Sequence, residues 1–137
     1  NYRSFSKSKH RVWANKLFWW NTFGGNAHYL DLPSIGWDHY QKTGRGFTRN
    51  RFRSNALIYL ESEYRTDITK DGLLGAVFFA NVSSVSAIDT YQFKKFNPAI
   101  GTGLRIKWSK INNSNISLDL GVSKQDVTFR LGFYENF

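Results

Sequence analysis

Two glutamates two residues apart, Glu61 and Glu63, and an arginine set between glycines, Gly44-Arg45-Gly46, are the residues of this chain most able to do chemistry. On an extended chain, residues i and i+2 share a face, so Glu61 and Glu63 project together, as paired acid/base carboxylates must. No nucleophile and no cluster of partner groups accompanies them. Ion-pairing carboxylates are therefore the better reading, and Asp119 is read the same way. His10, His28 and His39 lack metal-ligand spacing, and the chain contains no cysteine. Neither a metal nor another cofactor is expected, and no enzymatic activity.

The elements that carry these residues follow a period of two, which marks strands. Ile116, Leu118, Leu120 and Val122 alternate with Ser117, Asp119, Gly121 and Ser123. Val127, Phe129, Leu131 and Phe133 alternate with Thr128, Arg130, Gly132 and Tyr134, and Ile100 to Trp108 alternates with Gly101, Gly103, Arg105 and Lys107. In 55–67, Ala56, Ile58, Leu60 and Tyr64 oppose Tyr59, Glu61, Glu63 and Arg65; in 72–86, Leu74 to Val82 opposes Gly75, Phe79, Asn81 and Ser83. Residues 10–22 are strand-like without a clear outward face, and 1–7 look like the end of one more strand. Thr69 to Gly72, Asn112-Asn113 and Lys124-Gln125 are turn-sized. Residues 87–96 read as a moderate loop and 23–53 as a very long one containing Gly24, Gly25, Pro33, Gly36, Gly44 and Gly46.

Aromatic residues make up 18% of the chain, yet only 41% is hydrophobic. That combination suits a wall with one face in hydrocarbon and the other in a wet lumen. A soluble β-sandwich shows the same alternation. Against it stand Trp108, Tyr64, Phe129, Phe133 and Phe137 near strand ends, as in interfacial girdles, and charges in mid-strand at Glu61, Glu63, Arg105 and Arg130. Trp13, Trp19 and Trp20 could stack bases or sugars, but a membrane-interface belt is the plainer account. The longest apolar stretch, Leu73–Ala80, is about half the ~20 residues of a membrane-crossing helix. Asn1 does not open a signal peptide, and the expectation is a chain that begins in mid-protein. The net charge of +9 is scattered apart from Arg45 to Arg53. The Arg49, Arg51, Arg53 alternation reads as a segment pairing inside the wall or facing the surface, and no nucleic-acid partner is expected.

A series of short motifs then runs in order: GRGFTRNRFR at 44–53, ESEYR at 61–65, FFANVSSV at 78–85, GTGLRI at 101–106, LDLG at 118–121 and a last strand ending at Phe137. Together they resemble the C-terminal part of the BamA/TamA outer-membrane surface-antigen superfamily, in the version common in Bacteroidetes. The resemblance covers about residues 23–137. It implies an all-β fold, an antiparallel transmembrane β-barrel of sixteen strands, of which this chain would supply the last seven or so. The preceding strands and the periplasmic POTRA domains would lie upstream of Asn1.

The resemblance further implies that the loop 23–53 folds back into the lumen, with Arg45, Gly46 and Phe47 as a latch. Glu61, Glu63, Asn81 and Asp119 share the lumen-facing parity and would be its partners, with Gly101, Gly103 and Gly121 leaving room for the tip. The chain departs from the family at Asn81 and Ser83, where Asp and Gly are usual, and at Gly44, where an apolar residue is preferred. An Arg45–Asn81 contact would then be a hydrogen bond to a neutral acceptor. Phe129, Leu131, Phe133 and Phe137 resemble the C-terminal sorting signal of outer-membrane proteins, with Glu135 breaking the pattern. The implied function is assembly or insertion of outer-membrane proteins through a weak lateral seam. The implied partners are outer-membrane lipids and lipopolysaccharide, nascent outer-membrane proteins and accessory lipoproteins. A secretion channel, an anchor for a fused enzyme domain and a passive porin-like barrel are the alternatives.

Overall fold

Alternating polar and apolar residues leave each strand of this chain with two unlike faces, and the sheet sorts those faces to opposite sides. The computed structural model describes residues 2–3, 11–23, 28–36, 43–87, 92–109 and 114–133. It is all-β: strands β1 (Tyr2–Arg3), β2 (Arg11–Asn21), β3 (Ala56–Asp67), β4 (Leu74–Ser86), β5 (Phe93–Ser109), β6 (Ser114–Ser123) and β7 (Val127–Gly132) form one sheet. They lie in sequence order, each antiparallel to the next. Among the described residues a single 3₁₀ turn, Tyr29–Asp31, interrupts the long β2–β3 connection. Among the described residues no helix is long and apolar enough to cross a membrane. His10, Gly24, Gly25, His39, Asn112, Asn113, Tyr134, Glu135 and Phe137, and the Trp108 side chain, lie outside the described residues.

The polarity of the sheet is the reverse of that in a soluble domain. Leu17, Trp19, Phe78, Ile100, Leu104, Leu120, Phe129 and Leu131 point outward on one face, with Leu17 72% and Phe129 68% exposed. The other face carries Glu61, Glu63, Asn81, Arg105 and Asp119, all buried. No second sheet covers the apolar face among the described residues. The polar face is covered instead by the β2–β3 loop. Ile35, Phe47, Tyr59 and Ala99 form a small apolar cluster there, with Phe18 and Phe52 packed against it.

Three rungs across the polar face position everything that follows. The middle one runs Ala14, Glu63, Phe79, Gly101, Gly121, Thr128 from β2 to β7. On one side of it lie Lys16, Glu61, Asn81, Ala99 and Ser123, and on the other Val12, Arg65, Val77, Gly103, Asp119 and Arg130. Two neighbouring glycines in the middle rung make a trough in the face, where backbone or a ring can lie flat.

Two elements differ from the sequence reading. β5 begins at Phe93, so the connection before it is 87–92 and the strand has 17 residues. Pro98 and the exposed pair Lys94-Lys95 break the apolar alternation there, but antiparallel pairing with β4 holds the backbone extended through them. Ala56, expected to face outward, is buried where its N–H donates to Ser86 Oγ at 3.1 Å, at the neck of the long loop.

A side chain at Gly101 would collide with the Phe79 ring and the Leu120 carbonyl. Gly101→Val is expected to lower stability by about 1–3 kcal/mol through overpacking, read as a shift in the denaturant midpoint of the folded protein. An unshifted midpoint would show that the trough is not needed.

Candidate functional site

The loop that covers the polar face is shaped by its own hydrogen bonds before it meets the sheet. Thr22 N donates to Asn55 O at 2.8 Å and closes the neck. Above it, Ser34 and Arg53 form an isolated antiparallel bridge, and Ile35 N donates to Phe52 O, Asn50 N to Ile35 O and Ser54 N to Pro33 O. The tip is a tight turn in which Phe47 N donates to Gly44 O at 3.0 Å. Gly44 and Gly46 take φ of +79° and +89°, a region that a side chain disfavours. Thr43 Oγ1 accepts from Gly36 N and ties the tip to its stem.

This turn delivers Arg45, 1% exposed, to the polar face. Its Nε donates to Glu61 Oε2 at 3.1 Å and its Nη2 to Glu61 Oε1, a bidentate grip. Nη2 also meets Glu63, and Nη1 reaches Asp119 Oδ2 at 3.4 Å. The guanidinium lies over the Phe79 ring, 4.0 Å from its centroid, a cation–π contact. Glu63 is held from its other side by Arg65, and Asp119 by Arg105. Tyr59 donates its hydroxyl to Glu61. Glu61, Glu63 and Asp119 thus each have a guanidinium beside them, which offsets the cost of taking the acids out of water. Burial by itself opposes the charge on Arg45, but the hydrogen bond to Glu61 and the charges of Glu61, Glu63 and Asp119 outweigh it and hold its pKa above the ordinary value.

Of the residues singled out in the sequence, Glu61, Glu63 and Asp119 converge on the Arg45 side chain. Asn81 does not: its Nδ2 donates to the Arg45 carbonyl at 2.9 Å, so it holds the main chain of the tip and leaves the guanidinium to the acids. Gly46 packs on the sheet where Gly121 has no side chain; a Cβ there would sit 2.5 Å from Gly46 N. Gly101 and Gly103 make their room for side chains of the sheet. Gly101 makes room for Phe79, and Gly103 for Asp119 and Arg105. Phe47 points away from the acids into the cluster with Ile35, Tyr59 and Ala99, its ring edge-on to Phe52. Phe129, Leu131 and Phe133 are exposed on the opposite face and belong to no part of this site.

Several members of the site escaped the sequence reading. Phe79 was legible as inward-facing by parity, but its place beneath Arg45 depends on cross-strand register. Arg130 donates to the carbonyls of Thr43 and Gly44, and Thr128 Oγ1 accepts from Gly46 N at 2.9 Å. These two contacts need the last hairpin to swing under the loop, which no local pattern records. Searches against models of known protein families, curated proteins and solved structures return no match. With every carboxylate of the cluster engaged by a guanidinium, the arrangement is built to hold the loop on the sheet.

Removing the guanidinium takes from Glu61, Glu63 and Asp119 the one cation that all three share. Arg45→Ala is expected to cost about 3–5 kcal/mol, the usual effect of breaking a buried pair, and to let trypsin cut after Arg49, Arg51 or Arg53. A digestion time course indistinguishable from that of the parent protein would dismiss this anchoring role.

Proposed function

We propose that the chain is the C-terminal portion of an outer-membrane β-barrel of the BamA/TamA type, acting to insert or assemble other barrel proteins without a chemical step. The observation that carries this reading is the arginine loop folded onto the polar face of the sheet, with Arg45 between Glu61, Glu63 and Asp119. Such a loop has a use in a barrel, where the polar face lines a lumen and the loop stiffens the wall from within.

The outward face supports the same reading. Large apolar side chains cover it from Leu17 on β2 to Phe129 on β7. An apolar surface of that extent is an aggregation hazard in water and the ordinary state of a barrel wall in lipid. Closure into sixteen strands would require nine further strands from the rest of the protein. In that barrel, β7 would meet the first strand at a weak seam. Client strands would be received there, aided by local thinning of the bilayer.

Two experiments test it. A charge on the lipid face costs roughly 2–4 kcal/mol near the bilayer midplane, so Leu120→Arg in the full-length protein is expected to reduce the membrane-inserted fraction sharply. If the variant instead folds and inserts normally, the outward face does not meet lipid. Separately, Arg45→Ala is expected to lower the temperature at which the barrel loses its compact electrophoretic form and to deplete other barrel proteins from the outer membrane. A passive porin-like barrel predicts an unchanged outer-membrane proteome in that variant, and such a result would refute the assembly role.

A further inference from the structure

The loop touches more than the acids on β3 and β6. β7 is an edge strand of only six residues, paired with β6 alone among the described residues. An open edge offers unpaired N–H and C=O groups to any strand that comes alongside. The loop adds a second hold on β7 beside its short ladder. Arg130 Nη2 donates to Thr43 O and Gly44 O at 3.2 and 3.3 Å. Gly46 N donates to Thr128 Oγ1, and Thr48 N to Asp126 Oδ2 at 3.3 Å. Arg51 then reaches over the turn, with Nη1 on Asp126 Oδ1 at 2.6 Å and Nη2 on Gln125 Oε1 at 2.8 Å.

These contacts form a series along the loop, from Thr43 to Arg51, that tracks the hairpin from Arg130 up to its turn. They are unequal in depth. Arg45 among its carboxylates is buried, and its release would strand charges out of water. The Arg51 side chain is 34% exposed, so its ion pair with the less exposed Asp126 sits at the rim, where water can take over the guanidinium. The loop therefore has one anchor that is costly to lift and one fastening that is not.

We propose that the 43–51 segment is a clasp on the C-terminal hairpin. The rim contact of Arg51 with Asp126 and Gln125 sets how readily the open edge of β7 accepts an added β-strand, while Arg45 stays anchored. The partner is an extended peptide segment with unpaired main-chain groups. Its being a client barrel protein rests on the assembly reading above; the clasp itself rests on the contacts alone. Releasing the rim frees the turn and then Thr128 and Arg130, without disturbing Glu61 or Glu63.

The test uses the full-length protein reconstituted in phosphatidylcholine vesicles, with hydrogen–deuterium exchange read separately over residues 127–132 and 56–67. Asp126→Ala and Arg51→Ala are each expected to speed exchange in β7 by about tenfold or more, with β3 unchanged, as for a local opening. These 137 residues contain no cysteine, so Thr48→Cys with Asp126→Cys, in a full-length protein freed of any other cysteine, supplies one defined pair. Its oxidation is expected to slow β7 exchange below that of the reduced form and to cut client assembly by about tenfold. Unchanged β7 exchange in both alanine variants would overturn the clasp, as would an oxidised pair that assembles clients at the parent rate. Failure of the functional reading looks different: Arg45→Ala then leaves client assembly intact while Asp126→Ala still loosens β7.

Discussion

A guanidinium taken out of water onto the face of a β-sheet must find carboxylates, and most of the local architecture answers that demand. Arg45 is fully charged at any physiological pH, so its burial is tolerable only with anionic acceptors in place. Glu61 and Glu63 come from one strand and Asp119 from another three places along the sheet. The strands between them must therefore let the side chains converge. Phe79 gives the guanidinium a flat apolar surface, and Gly101 lets that ring lie down. Gly121 lets the loop backbone come close enough for Arg45 to reach. Each concession in the sheet, a missing side chain or an inward acid, has its reason in one side chain of the loop.

The two faces of the sheet constrain each other as well. Strand alternation with a period of two means that a register slip of one residue would exchange Glu61 and Glu63 for Leu60 and Ser62 on the inner face. The ion cluster thus acts as a check on register from the inner face, independent of what covers the apolar side chains that face outward. Buried ion pairs add little net stability over well-packed apolar groups, and their value in this fold is selectivity. Only one register sets three acids against Arg45, Arg65 and Arg105 together.

How much of this was readable in advance depended on whether the signal was local. Strands β3, β4, β6 and β7 were legible because alternation is written in consecutive residues, and the inward parity of Glu61, Glu63, Asn81 and Asp119 came with it. The start of β5 was not, because Lys94, Lys95 and Pro98 interrupt the pattern and only pairing with β4 reveals the extended backbone. The burial of Ala56 depends on Ser86, and the fit of Gly46 on Gly121 joins residues far apart in sequence. The roles of Phe79, Thr128 and Arg130 required knowing which residues share a rung, a property of the assembled sheet and not of any segment.

Asn81 shows how a neutral amide can answer the physics of a buried ionic site. An acid at this place would have to face the Arg45 carbonyl and Glu61, both of them acceptors. Asn81 instead presents its amide N–H, donating to the carbonyl and lying 3.4 Å from Glu61 Oε2. Its Oδ1 is left buried without a partner, a cost of about 1–3 kcal/mol for an unmet acceptor. A carboxylate here would instead turn acceptor oxygens toward the Arg45 carbonyl and Glu61 and add a like charge beside a buried acid. With Glu63 placed one rung away to take the second side of Arg45, the position at 81 is released from pairing the side chain and becomes a fastener of the main chain. The amide at 81 and the two glutamates on β3 are therefore one solution to one problem, and neither makes electrostatic sense without the other.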